Sequence, residues 1–220
     1  MSKVSSAFDI LDTFKIERQK IALKEFHIER SWDALNFLNS AVASEKTKQL
    51  EHIYSEIEKQ NPEGCYRLIF HTQGHPKQHL QYTLEPRELD PLPSTIRLYP
   101  WTDQRPPEAL DQFKWSSRER WADLTRHLPD SADDLLLVTP TGHIKETSRF
   151  NVFCFSPAES CFYTPTLQVG CLNGVFRRAV LKNKVLPYPT YEKDLTLSST
   201  SEMQIFVGNA VRGLIPAKIL

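Results

Sequence analysis

The spacing of apolar and polar positions predicts an α+β chain that begins with a hairpin and two helices. Residues 7–17 mix apolar and polar positions with β-branched and aromatic side chains, and 18–24 continue the pattern, which predicts strand, turn and strand. Apolar residues then recur at helical spacing from Phe26 to Val42, and a second helix with a polar face follows over 45–60. Short runs of strand-forming residues predict the remaining strands of this half, at 65–72, 79–84 and 94–99.

The second half of the chain is richer in predicted strand and follows a proline-bearing segment. The run PWTDQRPPEA, around 100–110, holds three prolines and no apolar periodicity, which predicts a stiff connector between two packed units. We therefore expect a small domain over 1–105 and a larger one over 106–220. Further on, helices are predicted near 117–128 and 174–182, and strands at 134–139, 150–155, 160–164 and 203–208.

Composition and charge place the chain among ordinary soluble globular proteins. Its 220 residues are 40% hydrophobic and 25% charged, and Lys+Arg 27 balances Asp+Glu 27. Bulk electrostatics therefore favours neither nucleic acid nor an anionic membrane, so an anionic ligand requires a local site. Apolar runs stay short of the roughly 18 residues that span a bilayer. The four cysteines form no C-x-x-C pair, which favours reduced thiols and a cytoplasmic location.

A glycine-containing helix start is one candidate binding element. In GCLNGVFRRAVLKN, residues 170–183, Gly174 permits a tight turn and leaves the N–H groups of Val175 and Phe176 at an open helix N-terminus. That arrangement suits a phosphate group. An ordinary helix start capped by Asn173 is the alternative.

Glu146 is a second candidate, in the strand-like run that follows the turn at Gly142. A carboxylate among strand residues is costly to bury unless it meets a cation or a hydrogen-bond donor. A solvent-facing glutamate on an edge strand is the alternative interpretation.

Lys114 is a third candidate, because it lies between Phe113 and Trp115. Aromatic surroundings that desolvate an ammonium group lower its pKa and favour a nucleophilic amine. A surface lysine whose stem packs on the aromatic rings is the alternative.

The last twenty residues hold a fourth candidate, at the end of a predicted strand. Asn209 and Arg212 bracket a turn that contains Gly213, and exposed amides with an arginine suit an anion. An ordinary C-terminal loop is the alternative. His71, His75 and His79 have helical metal-site spacing, but Gly74 and Pro76 break such a helix, so no metal site is predicted.

Together these segments resemble the class IV aminotransferase family, the fold-type IV enzymes that use pyridoxal phosphate. The family's elements occur here in order, as Lys114 with Arg118, Gly142 to Glu146 to Asn151, Asn173-Gly174 to Arg177, and Gly208 to Gly213. In the first half, DTFKIERQKIALKEFHIER resembles the family's E-T strand, hairpin and H-x-x-R helix. The resemblance implies a small N-terminal domain and a larger, strand-rich pseudobarrel.

The resemblance also implies roles for individual residues around pyridoxal 5′-phosphate. Lys114 is expected to hold the cofactor covalently and to move the substrate's proton, while Glu146 binds the ring nitrogen. The phosphate is expected on Arg30, the amides of Val175 and Phe176, and Asn209. Substrate contacts are expected from Thr13, Arg118 and Arg212.

The ending GNAVRGLIPA resembles the N-S-x-R-G-x-x-P-A of 4-amino-4-deoxychorismate lyases, so the favoured activity is release of pyruvate and 4-aminobenzoate for folate synthesis. An aminotransferase acting on branched-chain or D-amino acids is the alternative, and a non-catalytic protein of the same fold is a second. Asp12 and Ala210 depart from the family pattern, and the chain begins almost at the E-T strand. A small-molecule amine substrate and a homodimer are expected, without nucleic acid or membrane.

Overall fold

The computed structural model describes residues 8–38, 43–72, 80–117 and 119–220, which divide into two compact units. Unit 1 comprises the chain up to Asp90 together with the later segment Phe113–Ser117. Unit 2 comprises Pro91–Gln112 and the chain after Ser117. Because the units interleave along the chain, they do not test a division into independently folding domains at 105/106, which stays a prediction.

Unit 1 is an antiparallel sheet with two helices packed on one face. Its strands, in the sheet order β2-β1-β3-β4, and its helices have these bounds: β1 Ile10–Glu17, β2 Lys20–Ile21, β3 Gly64–Phe70, β4 Tyr82–Arg87, α1 Lys24–Leu38 and α2 Ala43–Gln60. Alternate β1 side chains, Phe14 and Ile16, join one apolar core with Leu35 of α1 and Leu50 and Ile57 of α2. Strand periodicity on β1 and helical periodicity on α1 and α2 thus bury a common apolar layer.

The segment Phe113–Ser117 belongs to this sheet although it comes later in the chain. Its backbone extends along the edge of β1 that the short strand β2 leaves open. The Leu11 N–H donates to the Lys114 carbonyl at 2.8 Å, and the Ser116 N–H donates to the Asp9 carbonyl at 2.8 Å. Backbone hydrogen bonds therefore hold Lys114 beside β1.

Unit 2 is a barrel of strands. Its elements are β5 Ile96–Thr102, α3 Glu119–Thr125, β6 Asp134–Val138, β7 Ile144–Thr147, β8 Asn151–Ser156, β9 Cys161–Thr164, α4 Val175–Leu181, β10 Thr190–Glu192, β11 Gln204–Asn209 and β12 Gly213–Ile219, with short 3-10 turns at Ala109–Gln112, Leu167–Val169 and Ser198–Thr200. The order β8-β11-β12-β5-β6-β7 closes because β7 also pairs with β8, and β9 and β10 extend from β8. The predicted α+β class with a strand-rich pseudobarrel is confirmed.

Two parts of the sequence interpretation are wrong. The predicted connector begins with residues 100–102, which belong to β5; Pro100 is tolerated because β12 pairs with β5 only up to Leu98, so its missing N–H falls where one neighbour is absent. The C-terminal loop is a strand, β12, whose turn-forming Gly213 and Pro216 are outweighed by pairing with β11 and β5. Residues 39–42 and 79, at the ends of two predicted elements, lie outside the described residues.

Candidate active site

Lys114 meets a hydroxyl group within unit 1. Its Nζ donates a hydrogen bond to Thr13 Oγ1 at 3.0 Å, and both side chains are half-buried. Thr13 is available on this side because its β1 neighbours Asp12 and Phe14 point the opposite way, into the helix-covered core. The structure thus brings together two of the predicted site residues, an amine and a hydroxyl between which a proton can pass.

Arg30 lies beneath the same strand, in a buried polar cluster centred on Asp12. The Asp12 carboxylate pairs with the Arg30 guanidinium, accepts from Tyr54 Oη at 2.5 Å and lies 2.7 Å from His27 Nδ1. Arg30 also donates to the Leu11 carbonyl at 3.2 Å. These observed partners are internal, and contact of Arg30 with a phosphate stays a prediction.

The partners of Asp12 decide its charge. Burial alone would raise the pKa of this carboxyl, but His27, Arg30 and the Tyr54 hydroxyl together hold the pKa of Asp12 well below its usual range. The pKa of Tyr54 is raised by its own burial and by the Asp12 charge. Asp12 is therefore a fully ionised and fully partnered buried carboxylate.

Glu146 is the contrasting carboxylate of unit 2. It lies at the seam of the barrel, where β7 pairs with β8 through Glu146 and Asn151. Burial raises the pKa of Glu146 to about 7, although the Leu172 N–H donates to its Oε2 at 3.0 Å and the nearby Arg120 and Lys145 act in the opposite direction. The predicted solvent-facing alternative is wrong, since Glu146 is buried.

The spacing of the two barrel motifs has a geometric reason. Asn151 Nδ2 donates to the Leu172 carbonyl at 2.8 Å, while Glu146 accepts from the Leu172 N–H. The two residues that join β7 to β8 therefore bind both backbone groups of Leu172. A Cβ on Gly174 would lie 2.3 Å from Asn151 Oδ1. Only glycine fits there, and the turn into α4 is thereby packed against the seam.

The start of α4 packs on the end of β11. A Cβ on Gly208 would lie 2.9 Å from Cε1 of Phe176, so the ring rests directly on the strand's backbone. Gly174 precedes the helix with no side-chain cap hydrogen bond, which leaves Val175 and Phe176 in the uncapped first turn. Asn173 is therefore not the cap that the alternative interpretation expected; its side-chain oxygen accepts instead from Arg177 Nη1 at 3.1 Å.

Asn209 shapes the turn between β11 and β12. Its Oδ1 accepts from the N–H groups of Val211 and Arg212 at 3.0 and 2.9 Å, and its Nδ2 donates to the Arg149 carbonyl at 3.1 Å. Gly213 closes this turn with a φ of +68°, a conformation that favours glycine. Both ends of the Asn209 side chain thus bind backbone atoms, and its contact with a phosphate stays a prediction.

Two residues that lie near the candidate site residues were not named from the sequence, and one residue that was named cannot be placed. Arg118 is outside the described residues. Arg67 of β3 pairs in register with Thr13 of β1, so both side chains lie on the same face of the sheet. The sequence predicted both strands but did not indicate which of their residues would pair. Lys145, buried in β7 next to Glu146 along the chain, was also missed, although its position directly before the candidate glutamate was visible in the sequence.

Comparison with known proteins identifies the family of the chain. The family model described as Amino-transferase class IV matches residues 9–220. The chain belongs to the class IV aminotransferase family, so it is an enzyme, and the cofactor of this family is pyridoxal 5′-phosphate. No curated protein matches the sequence.

Solved structures share the fold. 4-Amino-4-deoxychorismate lyase from Pseudomonas aeruginosa has a TM-score of 0.77 at 16% identity, covering 100% of this chain and 88% of that one. The fold IV-transaminase CpuTA1 from Curtobacterium pusillum has 0.74 at 17%, with coverages of 99% and 78%. The PLP-bound form of a hypothetical aminotransferase from Mycobacterium tuberculosis has 0.74 at 16%, with 96% and 81%. At these identities the likeness concerns the fold alone.

The residues present fit this cofactor chemically. A buried carboxylate whose pKa is raised to about 7, as at Glu146, gains most from a cationic partner such as a protonated ring nitrogen. Lys114 supplies a primary amine already engaged by a hydroxyl. In the described residues no group of three metal-ligating side chains occurs, and no helix has the length and apolar character needed to cross a membrane.

Proposed function

We propose that the protein is a 4-amino-4-deoxychorismate lyase that releases pyruvate and 4-aminobenzoate. The hydrogen bond between Lys114 Nζ and Thr13 Oγ1 carries this proposal. The net reaction removes the proton from the amine-bearing carbon, breaks the C–O bond to the enolpyruvyl group and adds a proton to the departing enol. An amine and a hydroxyl in contact supply both an acceptor and a donor for these protons.

Two cations lie on the sheet face of Thr13. Lys15 shares the Thr13 face of β1, and Arg67 pairs with Thr13 in register. Two glutamates accompany them, because Lys15 Nζ lies 3.6 Å from Glu17 Oε1 and Glu85 is the neighbour of Arg67 on β4. A substrate carboxylate, whether of aminodeoxychorismate or of an amino acid, would bind here by exchanging with these glutamates.

The proposed cofactor contacts are the residues that the family resemblance implies. When bound, pyridoxal phosphate withdraws electrons from the amine-bearing carbon of the substrate. Lys114 would hold it covalently, and the ionised Glu146 would bind its ring nitrogen. The phosphate would be bound by Arg30, by the first-turn amides of Val175 and Phe176, and at the Asn209 turn, with Arg118 and Arg212 as substrate contacts.

An aminotransferase acting on branched-chain or D-amino acids is the second candidate. Proton transfer by Lys114 opposite an electron-withdrawing cofactor is common to both reactions, so the buried Glu146 supports either one. The lyase-like sequence at the β11–β12 turn favours the lyase.

The deciding experiment measures both products with the purified protein and added pyridoxal phosphate. We expect pyruvate from aminodeoxychorismate, detected with lactate dehydrogenase, and a visible absorbance band that borohydride bleaches. Lys114→Ala should lose both, whereas Lys218→Ala, an exposed lysine of β12, should keep both. Keto acid from Leu, Glu or D-Ala without pyruvate would replace the lyase by the aminotransferase. A colourless protein that no added cofactor restores would contradict both activities.

The folate pathway, a homodimer and a cytoplasmic location complete the proposal. They follow from the lyase product, from the family resemblance and from the cysteine usage, respectively. Light scattering during size-exclusion chromatography would test the dimer, since a single species at twice the 25.4 kDa chain mass is expected.

A further inference from the structure

Lys145 is a fully buried cation that the proposed reaction does not use. Its side chain is 0% exposed, and its Nζ donates to Asp103 Oδ2 at 2.7 Å. The same oxygen accepts from Arg120 Nη2 at 2.5 Å. Arg120 Nη1 also lies 3.7 Å from Asp111 Oδ1, so Lys145 belongs to an ion-pair network whose carboxylates are Asp103 and Asp111, at a site where burial makes charge expensive.

A β-bulge brings this cation next to Glu146. Leu136 pairs with Thr147 and Val138 pairs with Ile144, so two residues of β7, Lys145 and Glu146, stand opposite a single residue of β6. In a regular strand, adjacent side chains point to opposite faces of the sheet. The extra residue interrupts that alternation, as bulges at barrel rims do when they redirect a side chain. Both side chains are buried, as are the other two residues of β7.

The charges that face Glu146 come from several elements. Arg120 of α3 and Lys145 of β7 favour its ionised form, and Asp111 of the 3-10 turn opposes it. Asp111 is itself paired with Arg105, and the half-exposed Glu108 lies 3.2 Å from the same guanidinium. The Cys171 thiol also faces Glu146 and stays neutral, because burial and the glutamate raise its pKa to about 12. Lys145 and Arg120 are therefore the cations among the charged groups that act on Glu146, and Asp111 is the opposing carboxylate.

We propose that Lys145, assisted by Arg120, is a positioning residue that keeps Glu146 ionised and directed for the cofactor's ring nitrogen. This inference rests on the proposed role of Glu146. Lys145 touches no reacting atom in this scheme and acts only through the charge of its neighbour. Asp103 is the counter-ion that makes a buried lysine tolerable, and it remains paired with Arg120 when Lys145 is replaced.

The test titrates Glu146 in the protein without cofactor. The carboxyl carbons of glutamate are labelled with ¹³C, and the Glu146 resonance is assigned by its absence in Glu146→Gln. Lys145→Met keeps the length of the side chain and removes the charge, and we expect it to raise the proton affinity of Glu146 by about tenfold or more. Lys145→Arg should restore the original midpoint, and Lys218→Met on β12 should not change it.

The outcomes separate the inference from the proposed function. An unchanged Glu146 midpoint in folded Lys145→Met would overturn the positioning role. If Lys145→Met fails to fold, Arg120→Met applies the same test, because that side chain is 28% exposed and tolerates replacement better. The proposed function is tested separately by the Lys114-dependent absorbance band, which wild-type protein must show whether or not Lys145 tunes Glu146.

Discussion

The two units each bury a carboxylate, but they treat it in opposite ways. In unit 1, Asp12 is met by an arginine, a histidine and a tyrosine, which keep the pKa of Asp12 below its ordinary range. In unit 2, Glu146 receives one backbone N–H, and burial raises the pKa of Glu146 to about 7. The charge of Asp12 is balanced by side chains of the protein, whereas the ionised form of Glu146 would be stabilised by a further cation.

This difference is the one expected between a carboxylate that stabilises the fold and one that binds a ligand, the role proposed for Glu146. Buried charges that are paired and hydrogen-bonded support the fold, and a strongly perturbed, underpaired group marks a functional site. The Asp12 cluster also prepares the neighbouring position, because Asp12 Oδ1 accepts from the Thr13 N–H at 2.9 Å. A structural carboxylate and the hydroxyl that we propose for proton transfer thus occupy adjacent residues on opposite faces of one strand.

The largest expected effect on stability comes from removing the charge of Asp12. Asp12→Asn leaves the Arg30 guanidinium buried without its counter-ion, so we expect the free energy of unfolding to fall by about 3–5 kcal/mol at neutral pH. Urea denaturation measures this loss. Because the pKa of Asp12 is lowered in the folded state, its contribution is present above the unfolded pKa of about 4 and is lost as the pH falls below it. The gap between wild type and variant should therefore shrink in acid, and a gap that stays constant would contradict the ionised cluster.

The next largest effect comes from replacing Glu146, whose pKa is shifted in the opposite direction from that of Asp12. With its pKa raised from 4.5 to about 7, the folded protein binds more protons than the unfolded chain between these values, so stability falls as the pH rises through them. Glu146→Gln stays neutral and keeps an acceptor for the Leu172 N–H. We expect the variant to gain about 3 kcal/mol on wild type between pH 4.5 and pH 8. Parallel stability curves from denaturation at several pH values would show that Glu146 is not the underpaired group.

The smallest effect on stability concerns Thr13. Thr13→Val removes a half-exposed hydroxyl whose partner Lys114 also reaches solvent, so the free energy of unfolding should change by less than about 1 kcal/mol. Turnover should nevertheless fall on the order of 10²-fold, because the amine loses its proton partner. Thr13→Ser serves as the control and should retain most activity. Equal losses in both variants would assign Thr13 a packing role.

Much of the candidate site could be named from residue order. Lys114, Glu146 and the turn into α4 were singled out from short motifs, and the spacing of the last two reflects the hydrogen bonds of Glu146 and Asn151 to Leu172. Their roles stay predictions. These motifs can be recognised in the sequence because each residue lies close along the chain to the turn or strand that positions it.

Other features were not predictable, because they depend on pairing between distant segments. Arg67 faces Thr13 only through the register of β1 with β3, and β12 exists only because two strands accept it despite Gly213 and Pro216. The bulge that buries Lys145 beside Glu146 likewise arises where β7 meets β6.

Local periodicity and residues a few positions apart were enough to predict the α+β class and the family from the amino-acid sequence, and to single out Lys114 as the candidate reactive amine. Only the tertiary structure decided which buried charges are satisfied. Ionisation inside a protein is set by desolvation against the neighbours that packing provides, and those neighbours come from segments far apart along the chain.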